Sequence, residues 1–432
     1  MRRRFATIGS ALALLVGLSA CSTSVQVREL SIPEGLHPEA GTGIPKVTVD
    51  AGWSPIGDGL IPVVGERRGY FEDAGIEFSR PNGYKSNLLS SMTPILNGQI
   101  DIGDTYMPLL TPQMSTVRSV TTFAIPTTAH VQRILAPKGK YKTLDALMAQ
   151  GLSFEEAGRQ VMEQLRGKTL MLFTGIDPQF YTVSLELAGM TLDDVDTVYM
   201  GDPDMVTAAH SGRGDFASPN GAVQVSQLQS SGWEPIITIT DVLDHLPDKT
   251  LNMANTYTGF LTTKQFANEN YNTLLRFTSV LFRISRAFGD DPIAACADYV
   301  DYVNSYTGSA LTPQECAKLY DGIYELNGFE DYQDVVGPGP AREGTDYLTE
   351  TDAQIARLQK QEVLPRGNYA ATDISIAHRI HWDLRAYRDE AKKLLAAVPD
   401  GKLRDRAEKY YADFNFLDAY RFALAAQKEM SQ

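Results

Sequence analysis

From Val47 onward the chain alternates short apolar runs with longer amphipathic ones. Val47-Thr48-Val49 predicts a strand, Gly52-Trp53-Ser54-Pro55 a turn, and Leu60 to Gly69 a helix. In VVGERRGYFEDAGIEFS, residues 63–79, Gly69 and Gly75 read as helix stops, because glycine enters the left-handed conformation that ends a helix. Ile76 to Phe78 is the next predicted strand. Leu88 to Leu96 reads as a helix ending at Asn97-Gly98, Ile100 to Gly103 as a third strand, and Thr121 to Ile125 as a fourth. Strands and helices at this spacing imply right-handed crossovers and a parallel sheet.

A second run begins at Arg166-Gly167-Lys168. It predicts strands at Thr169 to Phe173, Val195 to Tyr199, Asp215 to Ala217 and Pro235 to Thr240, with helices at Pro178 to Ala188 and Pro203 to His210. The two runs echo each other: LNGQIDIG (96–103) and HSGRGDFA (210–217) each end a helix on glycine and enter a strand through an aspartate. Two α/β lobes of this size would place a pocket between their strand ends. A strand from Tyr257 to Lys264 and a helix from Asn268 to Ala287 return the chain to the first lobe. The tail differs in kind, with helical patterns at Thr351 to Gln361, Ala371 to Ala397 and Leu403 to Glu429. Ile380, Leu384, Tyr387, Ala391 and Leu394 hold a 3.6-residue period there.

The front of the chain points to an address. Met1-Arg2-Arg3-Arg4 is a basic start, Ala11 to Leu18 a short apolar run, and Leu18-Ser19-Ala20-Cys21 has the form of a lipobox, with Cys21 the lipidated residue. Residues 1–20 are then a lipoprotein signal peptide and 21–45 a polar tether. Such a chain sits in the cell envelope, anchored on the outer face of the cytoplasmic membrane or within a periplasm. With Cys21 used, Cys296 and Cys316 remain as a candidate disulfide in an oxidising compartment.

Hydrophobic residues make up 43% and aromatics 9%, values of a globular chain. The formal charge of −14, with no basic stripe, argues against nucleic acid, whose binding rests on phosphate neutralisation. The mature chain has no G-x-S-x-G elbow, no H-E-x-x-H and no P-loop, so neither an enzyme nor a cofactor is expected. His378 and His381, three apart with Asp383 following, share a helical face that zinc could use, but no further ligand cluster accompanies them, and the expectation is no metal.

RGYFEDAGIEF, LNGQIDIGDT, QLRGKTLMLF, LELAGMTLDDVDTVYM, SGRGDFA and LTTKQFANEN, in this order, resemble the nitrate/sulfonate/taurine family of ABC-transporter substrate-binding proteins, which also takes in binders of thiamine-precursor pyrimidines. The likeness covers residues 46–290 and, more faintly, extends to 365. It implies the two-lobed α/β periplasmic-binding-protein fold, type II with crossed hinge strands, trapping a small solute for a membrane permease. On that reading 46–135 is the first part of lobe one and 136–240 is lobe two with an insertion at 145–162. Residues 241–374 return to lobe one, and 375–432 form a C-terminal helical extension. A secreted enzyme on the same scaffold, or a scaffold or adhesion lipoprotein, are the alternatives.

In this fold the solute meets loops at strand ends. One wall would be Trp53, Ser54, Ser86, Asn87, Asp104, Thr105, Tyr106 and Thr127, and the other Thr174, Gly175, Asp177, Gln179, Phe180, Asn220 and Gly221, with Tyr257 on the returning strand. Asp177 before Pro178 suits a helix N-cap, a role that by itself needs no ligand. The resemblance associates such a helix start with anions, yet an aspartate there would consume the donors an oxyanion needs. Asp104, Asp177 and Asp58 therefore favour an amine-bearing or planar heterocyclic solute, with Trp53, Tyr106 and Phe180 as aromatic walls or as plain core packing.

Overall fold

The computed structural model describes residues 38–54, 57–86, 92–174, 178–246, 256–337 and 346–431. The strands are β1 (Val47–Val49), β2 (Ala51–Trp53), β3 (Ile76–Phe78), β4 (Tyr84–Lys85), β5 (Ile102–Tyr106), β6 (Val120–Ala129) and β7 (Arg133–Pro137). They continue with β8 (Thr169–Phe173), β9 (Asp196–Met200), β10 (Phe216–Ser218), β11 (Trp233–Thr238), β12 (Thr256–Thr263) and β13 (Tyr324–Leu326). One sheet has six strands in the order β13-β6-β12-β5-β2-β4, a second has five in the order β11-β7-β10-β8-β9, and β1 pairs with β3 apart from both.

The expectation of wholly parallel sheets is corrected. β12 runs antiparallel to both β5 and β6, and β7 runs antiparallel to β10 and β11. Strands that carry the chain from one lobe to the other enter the new sheet against its direction, a geometry that counting βα units cannot reveal. One crossover is residues 130–132 between β6 and β7; the chain returns between the helix Ile239–His245 and β12.

Gly69 and Gly75 do end helical turns, at φ 71° and 75°. Gly69 leaves open space around a would-be Cβ, so only its backbone demands glycine, whereas at Gly75 a Cβ would stand 2.3 Å from the Pro45 carbonyl oxygen. Trp53 is fully buried, packed edge-on against Phe78 and Phe260 at 5.7 and 5.5 Å.

The tail is helical, but the run expected from 403 to 429 is two helices, Lys402–Ala412 and Phe416–Met430. Phe414 takes φ 61° at the break, and the Asn415 side chain accepts the Asp418 N–H to start the second helix. That helix is fixed to the first lobe by a buried fork: Arg276 donates Nε to Asp418 Oδ2 at 2.7 Å and Nη2 to Oδ1 at 2.9 Å. Cys296 and Cys316 form a disulfide with Cα atoms 5.9 Å apart. Among the described residues no helix is long and apolar enough to cross a membrane.

Candidate functional site

The expected wall residues of the first lobe lie at the end of β2 and, unexpectedly, inside β5 and β6. Asp104, Thr105 and Tyr106 were expected after a strand ending at Gly103; instead β5 runs on through them because Phe260, Gly259 and Thr258 of β12 pair with them in register. Thr127 likewise lies within β6, opposite Thr258.

Asp104 is the centre of this wall. Its Oδ1 accepts the Ser54 N–H at 2.7 Å, while its Oδ2 has no hydrogen-bond partner among the described residues. Burial pushes its carboxyl up to about 7, and the nearby Asp58 adds to the rise. Asp58 is itself buried and is pushed up to about 6 by burial, although Thr258 and Tyr324 hydroxyls hydrogen-bond to it. Its Oδ2 is likewise unpartnered among the described residues, as are Thr105 Oγ1 and Thr127 Oγ1. Ser86 stands beside Ser54 with hydroxyl oxygens 3.4 Å apart, and Tyr306 donates to the Trp53 carbonyl at 2.8 Å and also to that of Ser86.

The second lobe answers with Asp202, at the start of the helix Asp202–His210. Its Oδ1 accepts the Asn220 N–H at 3.0 Å and its Oδ2 the Gly221 N–H at 2.7 Å, so both oxygens are used. Burial pushes this carboxyl up to about 6 against the two N–H bonds. Asn220 Oδ1 is buried without a partner among the described residues. Arg133, the first residue of β7, donates Nε to Val131 O at 3.0 Å and Nη2 to His130 O at 2.7 Å, which turns its guanidinium back onto the crossover.

The lobes meet. Tyr106, from the six-stranded sheet, is 1% exposed and belongs to the apolar cluster of the five-stranded sheet with Phe180 and Tyr181. Tyr181 bonds Ser218 hydroxyl to hydroxyl at 2.7 Å. Phe180 is buried edge-on to Tyr181 at 5.1 Å, and Tyr257 is buried edge-on to Tyr347 at 5.7 Å.

The structure thus brings Ser54, Ser86 and Asp104 into one hydrogen-bonded group and holds Asn220 and Gly221 in another. Trp53 and Phe180 lie within apolar packing, Thr174 is exposed, and Gln179 is half-buried. Asn87, Gly175, Asp177 and Cys21 lie outside the described residues. Sequence reasoning missed Asp202, Tyr306 and Tyr324. Asp202 gave a signal in Gly201-Asp202-Pro203, an acidic residue at a helix start, but the N–H groups it holds belong to a loop 18 residues on. His381, weighed as a metal ligand, packs edge-on against Phe329 and Tyr332 at 5.1 and 5.2 Å. Burial lowers its imidazole to about 4. No group of three metal-ligating side chains occurs among the described residues.

Two α/β sheets joined by paired crossovers, with buried polar groups where the lobes meet, define the periplasmic-binding-protein fold. No protein-family model matches the chain, and no curated protein matches it. Solved structures do. The periplasmic aliphatic sulphonate binding protein SsuA from Escherichia coli matches with a TM-score of 0.53 at 12% identity, over 77% of this chain and 91% of that one. The periplasmic nitrate-binding protein NrtA from Synechocystis PCC 6803 matches with a TM-score of 0.52 at 14% identity, over 80% and 90%. The desulfurization enzyme DSZB matches with a TM-score of 0.50 at 11% identity, over 79% and 100%. At these identities the likeness is one of fold, and the fold serves binding proteins and an enzyme alike.

Proposed function

We propose that this chain is the extracytoplasmic solute-binding component of an ABC importer, lipid-anchored at Cys21, which captures a small amine-bearing or planar heterocyclic solute between its lobes and delivers it to a membrane permease. The lobe boundaries of this proposal are 46–135 with 241–374 for the first and 136–240 for the second, with 375–432 as the helical extension. The observation that carries the solute class is the bookkeeping of donors and acceptors. On both walls an aspartate already holds the backbone N–H groups that an oxyanion would need: Asp104 on Ser54, and Asp202 on Asn220 and Gly221. Among the described residues three buried side-chain acceptors are left without a partner, Asp58 Oδ2, Asp104 Oδ2 and Asn220 Oδ1, beside the Thr105 and Thr127 hydroxyls and the Trp53 indole N–H. Buried acceptors without partners are costly, and a ligand carrying N–H donors, best a cationic nitrogen, satisfies them.

The test is a thermal-shift and calorimetric screen of the purified protein against primary and cyclic amines, pyrimidines, nitrate and alkanesulfonates, with mass analysis of what is recovered. Stabilisation by an amine or heterocycle returned unchanged is expected. Stabilisation by nitrate or a sulfonate alone refutes the solute class, and turnover to a product refutes the transport role. Replacing Cys21 by Ala should release the protein from the membrane fraction; an unchanged distribution refutes the anchor.

A further inference from the structure

The C-terminal helices lie outside both sheets, and they hold the stretch of chain just ahead of β1. Arg406, on the helix Lys402–Ala412, donates Nη1 to the Thr42 carbonyl at 3.1 Å. Arg421, on the helix Phe416–Met430, donates Nη1 to the Gly43 carbonyl at 3.2 Å, and its own carbonyl accepts the Gly41 N–H at 3.3 Å. Ile44 packs on the small apolar cluster of Ala407, Phe422 and Ala423, where Leu394 of the helix Ala377–Ala397 also lies.

Two glycines set the fit. A Cβ on Gly41 would stand 2.3 Å from Arg421 Nη2, and that guanidinium is committed to Asp418 at 2.6 Å, so it cannot step aside without loosening a bond. A Cβ on Gly75 would meet Ile44 Cγ2 at 2.6 Å.

We infer that the C-terminal helical extension is a dock for the segment that precedes β1, gripping residues 41–44 and passing the hold to the first lobe. The relay is continuous. Arg421 donates to the same Asp418 Oδ1 that accepts Arg276 Nη2, and Arg276 belongs to the helix Tyr271–Asp290. Arg286 of that helix adds a bond to the Ala412 carbonyl at 2.6 Å. None of these bonds reaches the second lobe. Guanidinium donors grip backbone carbonyls whatever side chains the segment carries, and Ile44 in its apolar seat fixes the register. On the lipid-anchor reading above, the leash from Cys21 then ends at Gly41 rather than at Val47, six residues sooner, which is about 20 Å less reach. That consequence rests on the anchor; the dock does not.

The experiment is hydrogen exchange at the Gly41 amide in the full chain, compared among wild type, Ile44→Asp, Arg421→Ala and Lys46→Gln. Ile44→Asp leaves every helix residue in place, and Lys46→Gln removes only the exposed bridge to Glu77. Slow exchange is expected in the wild type and in Lys46→Gln, and exchange about tenfold faster or more in Ile44→Asp and Arg421→Ala, with the helix Phe416–Met430 as protected as before. Where Arg421→Ala also speeds exchange along that helix, Ile44→Asp alone decides. Fast exchange at Gly41 in the wild type, wild-type exchange in Ile44→Asp, or equal acceleration by Lys46→Gln overturns the dock. An unchanged membrane fraction in Cys21→Ala would refute the anchor and leave these exchange rates as they are, so the two readings fail separately.

Discussion

Asp104 and Asp202 do the same job on opposite walls and finish it differently. Each is a buried aspartate that accepts backbone N–H groups from the loop after a strand. Asp202 spends both oxygens, on Asn220 and Gly221; Asp104 spends one, on Ser54, and keeps Oδ2 free of any partner among the described residues. The first lobe also adds a second such carboxylate, Asp58, close enough to raise the first. A carboxylate with both oxygens engaged shapes a loop, and one that keeps a buried oxygen without a partner is waiting for a donor. The second lobe therefore supplies form, and the first supplies charge.

The largest effect should come from Asp202→Ala. It strips two charge-assisted bonds from buried N–H groups and should lower unfolding free energy by about 3 kcal/mol, taking roughly 1.5 kcal/mol for each bond. Denaturant titration at neutral pH measures it. A loss under about 1 kcal/mol would erase the distinction, because Asp202 would then be no more structural than Asp104.

Asp104→Asn is the counterpart. The amide oxygen can still accept the Ser54 N–H, so stability should hold, but the free anionic oxygen is gone. Affinity for any amine found in the screen should fall by about 10- to 100-fold, the span of one charge-assisted hydrogen bond. Calorimetry against that amine reads it directly. Equal affinity in wild type and variant would remove Asp104 from the pocket.

The same contrast explains what could be read in advance. The fold's two runs were legible because glycine-ended helices and β-branched strands repeat locally, and Asp104 was legible because a strand end follows Ile100 to Gly103 in the pattern. Asp202 was not, since its worth depends on loop atoms brought to it by tertiary folding. The extent of β5 and β6 was hidden for a related reason: the pairing of β12 carries β5 through Tyr106, and the pairing of β12 and β13 carries β6 to Ala129. The break at Phe414 was the most local of the misses. Asn415 three residues before Asp418 is a helix-start signal, but it lay within an apolar periodicity that runs on across it.

Titration offers a third way to press the comparison. Asp58 at about 6 and Asp104 at about 7 stand above the ordinary value of 3.8, so between pH 4 and 7 the folded ligand-free protein binds more protons than the unfolded chain. Stability must then fall as pH rises through that window, because the folded state holds those carboxyls best in neutral form. Asp202 at about 6 adds a slope of the same sign. Asp104→Asn should flatten the dependence, most visibly between pH 6 and 7, and a saturating cationic amine should oppose it by favouring the ionised carboxylates. A melting temperature that climbs from pH 5 to 7.5 in the ligand-free wild type would contradict the buried, unpaired state of both groups.

The smallest effects test the two loops by themselves. At Gly221 an added Cβ would stand 2.1 Å from Gln224 Oε1 and 3.1 Å from Asp202 Oδ2, so Gly221→Ala must move a side-chain end and nudge the carboxylate that organises the loop. The expected cost is about 1 kcal/mol, the low end for overpacking, because a glutamine tip can yield. Ser54→Ala keeps the N–H that Asp104 holds and loses a hydroxyl that lies 3.4 Å from that of Ser86 and also lowers the Asp104 carboxyl, so about 0.5 kcal/mol is expected. The order matters more than either value. If Ser54→Ala proved the costlier by chemical denaturation, the backbone N–H would not be what ties Asp104 to its loop, and the free oxygen that sets the first lobe apart would have to be reassigned to the serine hydroxyl's partner.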